Sequence, residues 1–194
     1  MKEFRVAELK TELRATDPAG KNGLYLKGIP IVYDTPTTIK ESFGEYIEVI
    51  KRGALDSADL TDVRLLYNHD LTKIPLARVP KTMSFTLDPA GLNMSAELPD
   101  SEMGRSVHTA VLRGDLSGMS FSFKVPKGGS SFDAKTNTRA ISKIEKVYEF
   151  SIVPFPAYPT TSIEARAEMD QEKINVQEKA LARIKINQIL KRSV

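Results

Sequence analysis

The stretch from Met83 to Leu98, MSFTLDPAGLNMSAEL, has a clear strand pattern on both sides of a turn. Apolar and polar side chains alternate on both sides of its centre, and a period of two is typical of half-buried strands. The central segment Asp88 to Gly91 has the composition of a tight turn. The stretch therefore predicts a β-hairpin.

Short strand patterns also dominate the sequence on either side of this hairpin. Apolar, β-branched or alternating runs predict strands at Leu24 to Tyr33, Tyr46 to Ile50, Val63 to Tyr67, Met119 to Val125 and Tyr148 to Val153. In the first run, Gly28 and Pro30 predict a bulge or an edge position, because proline cannot donate to a central ladder. We expect Leu55 to Leu60 to form one helical turn.

One internal helix and a changed C-terminal composition complete the pattern. Ser101 or Asp100 caps a segment with helical spacing that ends at Gly114, and from about Ser162 the chain lacks Gly and Pro. We predict an α+β chain, mainly β, with residues 1–161 forming a compact β-barrel domain with flanking helices. We predict that residues 162–194 form a helical C-terminal tail.

The residue totals exclude several kinds of chemistry. The 194 residues include no cysteine, which excludes disulfides, thiolate zinc sites and a cysteine nucleophile. The two histidines argue against a histidine-rich metal centre, and the net charge of +3 is too small to indicate nucleic-acid binding. The sequence shows neither a secretory signal nor an apolar run of about 18 residues that could span a membrane. We therefore expect a soluble protein that is made where it works.

Ser120 and His69 are the residues best suited to nucleophilic catalysis. Ser120 lies on a strand whose other face carries Phe121 and Phe123, and a neutral imidazole can remove a serine proton during attack. His108 lies within the predicted helix and is expected at the surface or boundary. From the residues alone, an isolated strand serine is more often a satisfied polar group, and a histidine after a strand can simply cap a turn.

A catalytic imidazole also needs an acid that fixes its tautomer. Asp70 is adjacent to His69, but neighbouring side chains in an extended segment point apart. Glu149 lies within an apolar run, so it must face solvent or a partner on that strand. Glu149 is the stronger candidate, and a solvated strand face is the alternative interpretation.

Four linked segments, in the same order, resemble the prohead maturation protease family of tailed phages. They are LYNHD at Leu66 to Asp70, PDSEMGR at Pro99 to Arg105, RGDLSGMSFSF at Arg113 to Phe123 and EFSIVPFPAYP at Glu149 to Pro159. The resemblance runs from about Gly23 to Ala165. That family is similar in proposed fold to the herpesvirus assemblins, whose compact β-barrel carries a serine and two histidines. The resemblance therefore implies an assemblin-like barrel here.

The resemblance also implies the site residues. The family's histidine falls on His69 and its serine on Ser120, and Glu149 occupies the place of the assemblins' third member. The triad would then be Ser-His-Glu. Relatives commonly have glycine where this chain has Ser122, which is a rival serine on the same strand face. The loop from Pro156 to Thr160 and Arg166 are suggested as the source of oxyanion donors.

The implied function is that of a serine endopeptidase without metal or organic cofactor. It would cleave the major capsid protein or its scaffolding segment, and itself, inside the immature prohead in the host cytoplasm. Assemblins work as dimers, which makes a homodimer or higher oligomer an open expectation, whereas no specific nucleic acid or membrane is implied. The tail could bind scaffold and be trimmed. The alternative is a catalytically inactive capsid- or scaffold-binding assembly protein.

Overall fold

The computed structural model describes residues 3–6, 14–16, 23–41 and 44–154. Thirteen strands and one α-helix lie within these residues, so the described chain is mainly β, as predicted. The elements are β1 Glu3–Val6, β2 Arg14–Thr16, β3 Leu24–Val32, β4 Thr37–Glu41, β5 Gly44–Ile50, β6 Arg64–Tyr67, β7 Ala77–Arg78, β8 Met83–Leu87, β9 Gly91–Leu98, α1 Glu102–Arg113, β10 Gly118–Lys124, β11 Ser130–Asp133, β12 Thr138–Ile141 and β13 Lys146–Val153. The predicted tail, residues 162–194, lies outside the described residues.

The strands form three sheets, and no closed barrel is found among the described residues. Their strand orders are β1-β10-β13-β6-β7, β11-β12-β5-β4 and β2-β3-β9-β8. The prediction of a barrel rested on the number of strands, which does not determine whether the edges of a sheet meet. The described residues also contain a single helix where flanking helices were predicted.

The segment from Leu55 to Leu60 does not form the predicted helical turn. Single hydrogen bonds between residues three positions apart turn the chain here instead. Asp56 N–H donates to the Gly53 carbonyl, and Ala58 N–H donates to the Leu55 carbonyl. Gly53, just before the segment, has a left-handed φ of 86°, so no helix continues through it into the segment. The segment is therefore a series of turns.

The hairpin and the helix follow their local signals. β8 and β9 pair antiparallel, and β3 pairs with β9 through a register shift between Gly28 and Ile31, as the Gly28 and Pro30 positions predicted. Ser101 caps the N-terminus of helix α1, and its Oγ accepts a hydrogen bond from Gly104 N–H at 3.1 Å. Gly114, with φ of 81°, caps the C-terminus. These caps define the two ends of α1, which lies between β9 and β10 in the sequence.

The first sheet carries the predicted site residues Ser120 and Glu149, and His69 follows its strand β6. Its central strand β13 pairs antiparallel with β10 and parallel with β6. One face of β10 and β13 is apolar and fully buried, with Phe121, Phe123, Phe150 and Ile152 in the main core. The other face carries polar residues that are also buried: Ser120, Ser122, Glu149 and Ser151. A polar cluster therefore lies against a rigid apolar support.

The second sheet contains a separate buried ion pair. Arg139 on β12 and Glu48 on β5 are register partners, and Arg139 Nη1 donates to Glu48 Oε2 at 3.1 Å. Arg139 Nη2 also donates to Ser130 Oγ at 3.2 Å, so this charge is held by more than one contact.

In the part of the chain that the structure describes, no helix is long and apolar enough to cross a membrane.

Candidate active site

His69 lies in a tight turn immediately after β6. Asn68 and His69 have φ of 52° and 58°, and Asp70 N–H donates to the Tyr67 carbonyl at 3.1 Å. Two consecutive left-handed residues closed by this bond form a type I′ turn. The left-handed conformation costs about 1–2 kcal/mol for a residue with a Cβ atom, and the second position of such a turn favours glycine. Other contacts must therefore hold His69 in place.

Strand β13 supplies these contacts at three points. Asn68 N–H donates to the Ile152 carbonyl at 2.9 Å and continues the ladder between β6 and β13. His69 N–H donates to Ser151 Oγ at 3.1 Å, and His69 Nδ1 lies 2.7 Å from Glu149 Oε1. Both the backbone and the ring of His69 are therefore fixed by the same strand.

Glu149 is a buried carboxylate with a hydrogen-bond partner on each oxygen. Its side chain is 3% exposed, whereas that of His69 is 23% exposed. Ser151 Oγ donates to Glu149 Oε2 at 2.6 Å. An ionised carboxylate can only accept hydrogen bonds, so it requires the proton of a neutral imidazole to be on Nδ1. The lone pair of the ring is then on Nε2, where a general base needs it.

Ser120 lies on the neighbouring strand, opposite the residue that contacts both His69 and Glu149. It is the register partner of Ser151, and Ser122 is the register partner of Glu149. Partners in an antiparallel pair project from the same face of the sheet. The structure therefore brings the predicted residues Ser120, His69 and Glu149 to one polar face, with His69 and Glu149 in direct contact. Ser120 has no exposed surface.

The structure also places the other residues that the sequence raised as candidates, Asp70, His108 and Ser122. The Asp70 carboxylate accepts hydrogen bonds from the Thr72 hydroxyl and backbone N–H, and these bonds lower the pKa of Asp70. Asp70 is thus engaged in its own loop. His108 is a boundary residue on α1, and its Nε2 is buried without a hydrogen-bond partner. Ser122 Oγ is also buried and has no hydrogen-bond partner.

Ser151 is the residue of the site that sequence reasoning missed. It lies two positions after Glu149 on an alternating strand, so the period of two predicts that both project from one face. The two-residue spacing from Glu149 is therefore the signal that could have identified Ser151. The suggested oxyanion donors, from Pro156 to Thr160 and at Arg166, lie outside the described residues.

A groove of about 870 Å³ lies elsewhere on the surface. The described residues that line it are Gly23, Leu24, Ile74 to Arg78, Thr82 and Glu97 to Asp100. This set does not include His69, Ser120 or Glu149. Within the described residues, no cluster of three or more histidine, aspartate or glutamate side chains could hold a metal ion.

A buried carboxylate in contact with an imidazole, on a sheet face that also carries a serine, contains the residue types that serine hydrolases use. Comparison with protein families agrees with this class. The family model described as caudovirus prohead serine protease matches residues 9–175, which is most of the chain. The chain therefore belongs to the caudovirus prohead serine protease family, and the resemblance seen in the sequence is confirmed. It is a serine protease of the phage prohead.

Among the solved structures, this chain is similar to the bacteriophage T4 capsid assembly protease. The two chains share 11% sequence identity, with 79% of this chain and 95% of the T4 chain covered and a TM-score of 0.47. None of the curated proteins compared with this chain matches it at a significant level.

Proposed function

We propose that Ser120 is the nucleophile of this serine protease, that His69 is its general base, and that Glu149 orients His69. The observation that supports this assignment best is the 2.7 Å contact between His69 Nδ1 and the buried Glu149 Oε1. A contact of this kind selects the tautomer in which Nε2 can accept a proton. The family membership supplies the reaction class, which is hydrolysis of a peptide bond.

The proposed reaction proceeds in two halves. Ser120 Oγ attacks the peptide carbonyl carbon while His69 Nε2 takes the hydroxyl proton, and a tetrahedral intermediate forms. The imidazolium then donates that proton to the leaving amine nitrogen, and the C–N bond breaks to give an acyl-enzyme ester. In the second half, water attacks the ester, His69 again takes and returns the proton, and Ser120 is released.

Glu149 and Ser151 would support this cycle without touching the substrate. The Glu149 carboxylate stabilises the positive charge that His69 carries in each half-reaction. Ser151 is a positioning residue, because its hydroxyl accepts from His69 N–H and donates to Glu149 Oε2. It therefore ties the acid and the strained turn to one point on β13.

The proposed substrates are the major capsid protein or its scaffolding segment, and the protease itself. The support for this is the family description, which assigns these proteases to the prohead. The proposal includes an assemblin-like arrangement of the sheets, self-association of the protein, and action inside the immature prohead in the host cytoplasm. It requires no cofactor, no specific nucleic acid and no membrane.

Co-expression with the capsid protein of the same phage tests the proposal. Mass spectrometry would compare wild type with Ser120→Ala and with Ser122→Ala, a control that removes a buried hydroxyl from the same strand face. We expect cleavage by wild type and by Ser122→Ala, and none by Ser120→Ala. Cleavage by Ser120→Ala would refute the nucleophile assignment. Intact capsid protein with every variant, including wild type, would favour the inactive assembly protein.

A further inference from the structure

The strand that carries Ser120 has both of its edges occupied. Along one edge β10 pairs with β13 from Gly118 to Lys124. Along the other edge β1 pairs antiparallel with β10, so that Glu3 lies opposite Phe123 and Val6 lies opposite Ser120. β1 is four residues long and is the end strand of its sheet. A short strand therefore covers the outer edge of β10 as far as Ser120.

An extended polypeptide that binds beside a strand satisfies its backbone N–H and carbonyl groups by joining the sheet. A bound polypeptide can pair with β10 along only one of its two edges, for the following reason. The inner edge belongs to β13, which carries both Glu149 and Ser151, so vacating it would dismantle the site. The outer edge can be vacated if the four residues of β1 leave. The complete burial of Ser120 is a second sign that access to this site requires a rearrangement.

We propose that β1 occupies the edge of β10 at which an extended segment of the substrate polypeptide pairs, so that the protease blocks itself until β1 is displaced. This inference rests on the proposed role of Ser120. The register gives the substrate's direction, antiparallel to β10, and aligns one of its residues with Ser120. Substrate and β1 compete for the same backbone donors and acceptors.

The first experiment weakens β1 by removing its backbone donors. Successive N–H groups of a strand point to opposite sides, so the double variant Phe4→Pro/Arg5→Pro deletes one donor that faces β10 whichever residue supplies it. The double variant Phe4→Ala/Arg5→Ala removes the same side chains and keeps both donors. Hydrogen exchange of the β10 amides from Ser120 to Phe123 is measured in the full-length proteins.

The expected result is selective. In the proline variant, the β10 amides that point toward β1 should exchange about tenfold faster or more, the effect of losing one ladder hydrogen bond. The amides that point toward β13 should keep their wild-type rates, and the alanine variant should resemble wild type. Unchanged exchange in the proline variant, or faster exchange throughout the domain, would overturn the proposal.

The second experiment asks whether the vacated edge accepts a separate strand. A synthetic peptide of residues 1–10, MKEFRVAELK, is added to the proline variant, and the same peptide with proline at its fourth and fifth positions is the control. We expect MKEFRVAELK to restore protection to the β10 amides and the control peptide to leave them exposed. Failure of MKEFRVAELK to protect them would show that the edge is not a strand-docking site.

Labelling with a fluorophosphonate connects the edge to catalysis. Ser120 should be labelled about tenfold faster in the proline variant than in the alanine variant, and MKEFRVAELK should slow this labelling. Equal rates in both variants would overturn the link between β1 and access to Ser120. Absence of labelling at Ser120 in every variant would refute the nucleophile assignment and the substrate role of the edge, whereas exchange would still decide whether β1 can be displaced.

Discussion

His69 Nδ1 lies 2.7 Å from Glu149 Oε1, although the two residues are 80 positions apart in the chain. The parallel pairing of β6 with β13 creates this contact, because it aligns the turn after Tyr67 with the last residues of β13. The contact joins a partly exposed ring to a buried acid, so its loss should affect activity more than folding.

Glu149→Gln should lower the rate of peptide cleavage by about 10⁴-fold, as the corresponding acid-to-amide change does in a well-studied serine protease. The amide is similar in shape, but it cannot stabilise the imidazolium or enforce the tautomer with the proton on Nδ1. Rates of cleavage of capsid protein, together with thermal unfolding, measure the effect. Glu145→Gln is the control, because Glu145 is exposed and pairs with Lys124. Full activity of Glu149→Gln would refute its orienting role.

Ser151→Ala should reduce both stability and turnover. It removes the acceptor of His69 N–H and the donor to Glu149 Oε2, and leaving buried polar groups unpaired costs about 1–3 kcal/mol. If Ser151 acts only through His69 and Glu149, as proposed, kcat should fall and KM should stay close to wild type. Urea unfolding and steady-state kinetics measure the two effects.

Ser122→Ala is the matched control for that variant. Ser122 is equally buried and faces the same side, but its hydroxyl has no hydrogen-bond partner. We expect its removal to change the free energy of unfolding by less than about 0.5 kcal/mol, because no bond is lost. Equal losses in Ser122→Ala and Ser151→Ala would contradict the positioning role.

His69→Gly should be more stable than His69→Ala by about 1 kcal/mol. Both variants lose the imidazole and its contact with Glu149, so their difference reports on the backbone alone. At an ordinary position the order would be reversed, because glycine loses more conformational freedom on folding. The φ of 58° at position 69 reverses it here. Urea unfolding of both variants checks the prediction, and a more stable alanine variant would argue against the type I′ turn.

Gly104→Ala should destabilise the protein, although alanine is the better helix former by about 1 kcal/mol. A Cβ atom at position 104 would lie 2.0 Å from the Pro99 carbonyl oxygen, so the start of α1 would have to move. We expect a net loss of about 1–3 kcal/mol, typical of overpacking. Ser106→Ala, at an exposed position of the same helix, should cause no such loss. Equal thermal stability of both variants would show that the helix start can shift freely.

Asp59→Asn should lower the melting temperature at neutral pH, and by progressively less as the pH falls below about 4. Hydrogen bonds from Lys146 and then from Thr61 hold the pKa of Asp59 below its usual value. A carboxylate with a lowered folded-state pKa contributes stability above its unfolded pKa of about 3.9, and this contribution is lost as the pH falls through the folded value. The difference in melting temperature between wild type and variant should therefore shrink below about pH 4. A constant difference from pH 7 to pH 3 would contradict this account.

The parts of the fold that could be predicted have their signals within a few residues. The turn at Asp88 to Gly91 and the caps at Ser101 and Gly114 all formed as their sequences indicated. The arrangement of the sheets could not be predicted, because the pairing of β12 with β5 and of β13 with β6 joins segments far apart in the chain. The division into residues 1–161 and 162–194 stays a prediction.

The candidate site also has features with a local sequence signal and features without one. Glu149 could be selected because an acid within an apolar run must face either solvent or a partner, and in the structure it is buried in contact with His69. The left-handed turn at His69 carries a weak signal, since Asn-His occupies positions where Asn-Gly is usual. The pairing of β1 with β10 has no local signal, because it depends on which strand edge remains open after the others have paired.

The order of the site residues along the chain has a consequence for synthesis. His69 and Ser120 are both translated before β13, the strand that supplies Glu149 and Ser151. A nascent polypeptide that ends before β13 has the hydroxyl and the imidazole, but lacks the acid and the pairing that hold the ring in its left-handed turn. Proteolytic competence would therefore arise only after β13 has been translated, and unfinished copies on the ribosome would be harmless to neighbouring proteins.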